Sequence, residues 1–360
     1  MKLISFLFLM CVIAGSSVRT AKSQDIIIDK FPIERTIKSS EVKIPPVLWV
    51  PQSMFIIDNH MITLEGSRDD SIIKVFKLPE GELVRSFGTK GRGPNELFSI
   101  NGNSFKPVFG SQPAIVLDAS GNGMNYYKLS DILSGKSNSY KNTPVPGVYQ
   151  IPRALAFIGD SVIIGAPYQA DMHLFLYDYE NEIDSVFAEY PIKTDKLSLM
   201  DKRQVFGCYM AVKPDNSKLA ITYNNQGKLE IYDFPSKKWN VIKYKNFPSL
   251  KKNLAMTRSN RPTNSLKDRK VFSWEIRASN KHIFIKVYDT NYLNMNTGGG
   301  AIRTFIPQIH VFTWEGEPVA KLQPDRYYKY FAIDKDGKDI YAIDNYFEDI
   351  IIKFSLEGVL

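Results

Sequence analysis

The sequence predicts an all-β fold, a six-bladed β-propeller of four-stranded antiparallel blades whose ring is closed by an N-terminal strand. Three observations lead there. Six short turns rich in Asp, Asn, Gly or Ser each separate two strand-like runs: Asp58-Asn59, Ser111-Gln112, Gly159-Asp160, Asp215-Asn216, Ser279-Asn280 and Asp336-Gly337. Their spacing is loosely regular, with gaps of 52, 49, 56, 64 and 57 residues. The run after each turn is rich in Ile, Val, Leu, Tyr and Thr, as in AIVLDAS from Ala114 and KLAITYN from Lys218, and such side chains suit a pleated, stacked sheet. Self-similarity at this period is the signature of a repeat architecture.

In chain order, the first element is no part of the fold. Lys2 is followed by an apolar run from Leu3 to Ala14 and then by small residues, the order of a secretory signal peptide, and removal of residues 1–23 is expected. The run is too short to span a bilayer. The alternative makes Cys11 the lipidated cysteine of a lipoprotein, although Met10 stands where such signals place Gly, Ala or Ser. Residues 24–50 form a lead-in with strand-like runs outside the six hairpins. Part of it is expected to pair with the last blade, because that blade ends at IIIKFSLEGVL with little chain left for its outermost strand, and an open ring exposes strand edges.

Residues 51–360 hold the propeller. Behind each hairpin a third strand often turns into a fourth, as in IIKVFKLPEGELVRSFG from Ile72 and IHVFTWEGEPVAKL from Ile309, with turns at Pro79-Glu80-Gly81, Glu180-Asn181-Glu182, Pro235-Ser236 and Glu315-Gly316. A pair of β-sandwiches is the alternative, since it too reads as many short strands. No long helix is expected.

Composition agrees with a packed globular protein. Of 360 residues, 44% are hydrophobic and 12% aromatic, which excludes disorder, collagen and a disulfide-stapled miniature. With the signal removed, Cys208 is the sole cysteine, so stability must come from the core and not from a disulfide. Charge interrupts every later apolar run.

Residues 87–97, FGTKGRGPNEL, directly follow a strand. They resemble the glycine-rich junction of NHL-like propellers and, more closely, of the TolB-like six-bladed propellers of exported Bacteroidetes proteins. In that likeness Gly88, Gly91 and Gly93 supply backbone conformations closed to other residues and Pro94 fixes the exit to the next blade. KPDNSKLAITY from Lys213 and IDKDGKDIYAIDN from Ile333 fit the same pattern. The resemblance implies the fold and an exported setting, and brings no catalytic residues with it.

Motifs that imitate chemistry have structural explanations. GTKGRG lacks the Lys-Ser/Thr ending and the helix of a phosphate loop, so it reads as a blade junction. Asp334, Asp336 and Gly337 open like a calcium loop, but Asn345 stands where the bidentate Glu belongs, so a hairpin turn is expected. His60, His173, His282 and His310 fall in different blades, and no metal site or other cofactor is expected.

Residues 251–281 carry nine Lys and Arg against Asp268 and Glu275, a local charge of +7 in a chain whose mature form carries +5. Such a segment attracts acidic glycans or anionic headgroups; export argues against nucleic acid. Gly298-Gly299-Gly300 marks a second inserted loop.

The innermost strand of each blade should be the one before its turn. Arg153, Tyr209, Trp274, Arg277 and Tyr330 lie there and are the candidate ligand-binding residues at the channel mouth. Nothing in the chain demands catalysis. The expectation is an exported, non-enzymatic binding or scaffold propeller, in the periplasm or on the cell surface, recognising a protein or glycan partner, with outer-membrane association if Cys11 is lipidated. The alternative is a propeller enzyme of lactonase, lyase or sialidase-like type with its site at the central channel.

Overall fold

The computed structural model describes residues 24–66, 71–89, 105–110, 114–118, 124–136, 141–143, 154–167, 172–190, 205–248, 270–291, 305–344 and 349–360, with single positions 91, 96, 102, 198, 202 and 347. Three lead-in strands come first: β1 (Gln24–Ile28), β2 (Ile33–Ile37) and β3 (Ser39–Lys43). Then come β4 (Pro51–Ile57), β5 (His60–Glu65), β6 (Ile73–Lys77) and β7 (Glu82–Phe87), followed by β8 (Lys106–Val108), β9 (Ala114–Asp118), β10 (Met124–Lys128), helix α1 (Leu129–Leu133) and β11 (Lys141–Thr143). The third group is β12 (Ala154–Ile158), β13 (Val162–Ala166), β14 (Leu174–Asp178) and β15 (Ile183–Ala188); the fourth is β16 (Cys208–Val212), β17 (Lys218–Tyr223), β18 (Gln226–Asp233) and β19 (Lys238–Tyr244). The last two are β20 (Lys270–Ala278), β21 (His282–Asn291), β22 (Gln308–Thr313) and β23 (Pro318–Pro324), then β24 (Tyr330–Ile333), β25 (Asp339–Ile343) and β26 (Ile350–Ser355).

Each group is one antiparallel meander, and together the described residues give a propeller whose blades are four- or five-stranded sheets. The hairpins form where the sequence places them. Ile57 pairs with His60 around Asp58-Asn59, and Asp58 takes a φ of 52°, the left-handed conformation that a two-residue hairpin turn requires. Asn216, Gly159 and Gly337 do the same in three other turns, with φ of 60°, 59° and 73°. Gly88, at the start of the glycine-rich junction, has a φ of 84°, and its carbonyl accepts from the Ile72 amide at 2.9 Å. Gly91 is described, while Gly93 and Pro94 lie outside the described residues.

The first strands of the six meanders touch in cyclic order, from β4 to β8, β12, β16, β20, β24 and back to β4. The core follows the same order. Six hydrophobic clusters each bridge one pair of neighbouring sheets; one joins Met54 and Phe76 of the first meander to Ala332 and Ile351 of the last. A middle strand such as β5 is therefore buried on both faces, while outermost β7 is half-exposed. This packing excludes two separate sandwiches.

The lead-in pairs with the last blade as expected and extends two other sheets as well. β3 pairs antiparallel with β26, Val42 opposite Ile351, as the outermost strand of the last sheet. In addition β1 pairs parallel with β19 and β2 parallel with β23, so two sheets have five strands and the four-stranded description holds for the other four. An outer strand leaves a row of backbone groups unpaired, and the lead-in covers three such rows in succession. Ion pairs accompany these pairings: Asp25 meets Lys243 at 2.6 Å, Asp29 meets Lys245 at 3.3 Å, Glu34 meets Lys321 at 3.2 Å, and Glu41 meets Arg326.

Candidate functional site

The six inner strands enclose a central cavity of about 70 Å³. Its wall is mostly apolar, with Met54, Leu155, Met210, Ile276 and Ile333 contributed by five different strands. Two charged side chains line it, Lys106 on β8 and Arg277 on β20.

Arg277 is a clasp. Its Nε donates to the Phe331 carbonyl on β24 at 3.0 Å, one terminal nitrogen donates to its own neighbour Ile276 at 3.1 Å, and the other donates to the Met54 carbonyl on β4 at 3.0 Å. That last nitrogen also meets Glu275 Oε1 at 2.6 Å. One planar fork thus ties three inner strands together where the first and last meanders meet, a geometry that lysine could not reproduce.

Glu275 completes this side of the channel. Its Oε1 also accepts from the Phe331 amide at 3.4 Å, and its Oε2 lies 3.7 Å from the buried Lys286 ammonium on β21. Lys286 donates to the Lys329 carbonyl and stands 4.7 Å over the Tyr328 ring. Burial lowers its pKa to about 8, against the pull of Glu275. The phenols of Tyr288 and Tyr330 are pushed above their ordinary range by burial first and by the Glu275 charge second.

Lys106 stands apart. Among the described residues no hydrogen bond or ion pair holds its amine, and burial, with Arg277 adding repulsion, lowers its pKa to about 7; Glu275 and Cys208 pull the other way. The isolation is a matter of sequence, since β8 is short and its neighbours Phe105, Pro107 and Val108 offer no acceptor side chain.

The structure places the sequence-derived candidates unequally. Tyr209, Arg277 and Tyr330 lie within one electrostatic neighbourhood with Glu275. Trp274 sits where β20 breaks register between Ser273 and Glu275, and its ring packs on Tyr288 at 5.4 Å. Arg153 lies outside the described residues, as do residues 251–269 of the basic segment and Gly298-Gly299-Gly300. Sequence reasoning passed over Glu275, Lys286 and Lys106. Lys106 was within reach, because it precedes the Ser111-Gln112 turn on an inner strand and is polar.

The Asp334 turn is a hairpin, whose carboxylate accepts from the Lys338 and Asp339 amides at 2.8 and 2.9 Å. Among the described residues no three His, Cys, Asp or Glu side chains gather as metal ligands.

A second, outer cavity of about 200 Å³ lies between the fourth and fifth sheets, under Phe31 of the lead-in. His310 lines it. Its Nε2 donates to Gln308 Oε1 at 3.2 Å, which leaves Nδ1 to accept from the Tyr244 hydroxyl at 2.8 Å. Burial holds this imidazole neutral, with a pKa lowered to about 3.

Comparison with known proteins matches the fold. A member of the DUF4221 family from Bacteroides vulgatus superposes with a TM-score of 0.59 at 14% identity, over 89% of this chain and 96% of its own. A Bacteroides fragilis protein whose name marks it as exported gives a TM-score of 0.58 at 12% identity, over 92% of this chain and 98% of its own. No curated protein matches this sequence. The family model described as TolB-like 6-blade propeller-like matches residues 30–336, and the chain belongs to that family.

Proposed function

We propose that this protein is an exported, non-enzymatic propeller that binds a protein or glycan partner through the surfaces of its disc. The observation that carries this reading is the state of the channel. Both Glu275 oxygens and nearly all of the Arg277 fork are already engaged, so among the described residues of the channel no carboxylate stands free to act as acid or base. A cavity of about 70 Å³ also falls well below the roughly 300 Å³ at which pockets begin to enclose drug-sized or sugar-sized ligands.

The reading includes a closed ring of six blades, supported by the cyclic contacts of the inner strands and by the β3–β26 pairing. It includes export directed by residues 1–23, to the periplasm or the cell surface, or to a lipid anchor at Cys11. The N-terminal pattern supports export, as does the name of the Bacteroides fragilis neighbour.

A second reading keeps enzymatic activity, because Glu275, Arg277, Tyr209 and Tyr330 form the acid, arginine and tyrosine grouping that a channel hydrolase or lyase uses. A thermal-shift screen of acidic and neutral glycans, run beside turnover assays with lactone, uronate and sialoside substrates, separates the two. Stabilisation without turnover is expected. Turnover that disappears in Arg277→Gln would establish the enzyme instead.

A further inference from the structure

We propose that the central cavity is a binding site for a small oxyanion, a carboxylate or an inorganic anion of sulfate size, held by the Lys106 amine and the remaining N–H of Arg277. This goes beyond the partner-binding reading and does not rest on it.

The charge around the cavity is unbalanced. Lys106 and Arg277 line the cavity, Lys286 lies behind Arg277 on the next strand, and Glu275 is the one carboxylate among the groups that act on these cations. Glu275 is already held by Arg277 and Lys286. Lys106 keeps part of its surface exposed, but an amine drawn into the channel wall without a counter-charge in contact still pays for the water it loses. The shift of the Lys106 amine expresses that cost.

Donors are present as well as charge. A guanidinium has five N–H groups in a fixed fork, and the contacts of Arg277 with Phe331, Ile276, Met54 and Glu275 use four. Arg277, with one N–H left over, and Lys106 both line the same cavity. An anion there would receive charge-assisted hydrogen bonds in a setting poor in water, where they are strongest. Size selects the ligand class, since about 70 Å³ admits a small oxyanion and its waters and no larger body.

Binding should be linked to protonation. An anion favours the ammonium form of Lys106, so affinity should fall as pH rises past about 7, with Arg277 charged throughout and Glu275 and Cys208 the other facing groups. Sulfate and acetate are suitable probes, because neither changes charge between pH 6 and pH 9. Calorimetric titration of the purified protein should give a dissociation constant on the order of millimolar at pH 6. It should be at least about tenfold weaker at pH 9 and in Lys106→Met, and unchanged in Lys335→Met, a turn lysine away from the channel.

Equal affinity in wild type and Lys106→Met would overturn the proposal, as would absence of binding by both probes at pH 6. Should Lys106→Met fail to fold, the wild-type protein still decides. Acetylation of Lys106, read by mass spectrometry at pH 7.5, should slow in saturating sulfate, and an unaltered rate would count against the site.

Discussion

The two sides of the central channel solve the same problem differently. On the β20 and β21 side, three charges are gathered together: Glu275 meets Arg277 at 2.6 Å and Lys286 at 3.7 Å, and three further Arg277 donors reach backbone carbonyls on β4, β20 and β24. On the β8 side, a single amine lines the channel with no acceptor among the described residues. The difference shows in the two lysines, whose pKa values are lowered to about 8 and about 7 by the same cause, burial, with the Glu275 carboxylate acting more strongly on Lys286. Saturated charge holds strands together; unsaturated charge is available to a ligand.

The largest test of this contrast removes the carboxylate. Glu275→Gln leaves Arg277 and Lys286 buried without their counter-charge, and a loss of about 3–5 kcal/mol in urea unfolding is expected. A loss under about 1 kcal/mol would mean that the cluster is solvated and the two sides alike.

Lys106→Met should act in the opposite direction. The unfolded amine stays protonated up to its ordinary value near 10.5, whereas the folded amine loses its proton near 7, so between these values native stability rises with pH. The variant lacks this dependence. Its advantage over wild type should be a few kcal/mol below pH 7 and should shrink to nothing near pH 10.5. An advantage that does not change with pH would assign the gain to packing alone.

His310 sharpens the comparison with a buried base that has neutral partners. Tyr244 and Gln308 satisfy the uncharged ring, so the histidine costs nothing at neutral pH. Its folded pKa of about 3 lies below the unfolded value of 6.5, so stability is lost as pH falls from 6.5 towards 3, by roughly 2 kcal/mol at pH 5. His310→Gln should remove most of that slope in denaturation curves recorded from pH 7 to pH 4.

The smallest effect belongs to the outer belt. Lys243 and Asp25 meet at 2.6 Å but are about half-exposed, so Lys243→Ala should cost under about 1 kcal/mol, and less at high salt. A larger cost would place β1 among the elements that hold the disc rather than those that cover it.

Most of the fold was legible because its signals are local. Asp58-Asn59, Asp215-Asn216 and Asp336-Gly337 carry turn chemistry in adjacent residues, and the inner strands follow from them. The pairing of β3 with β26 was also readable, since the last meander is short of a strand. The parallel pairing of β1 and β2 with distant edges was not, because its partners, such as Asp25 and Lys243, lie 218 residues apart and no local signal joins them. The site was half legible for the same reason. Arg277 is conspicuous on an inner strand, but its acceptors are backbone carbonyls of Met54 and Phe331, which no residue type announces. Glu275 and Lys286 become a pair only once β20 and β21 are in register.

The central claim is that the channel keeps one amine unsatisfied beside a saturated cluster. Its most direct test is the titration of individual lysine amines by heteronuclear NMR, with Lys106→Met and Lys286→Met used to assign the two resonances. The account predicts a Lys106 midpoint near 7 in anion-free buffer, below that of Lys286, moving upward when sulfate is added. A Lys106 midpoint near the ordinary 10.5 and indifferent to sulfate would contradict it.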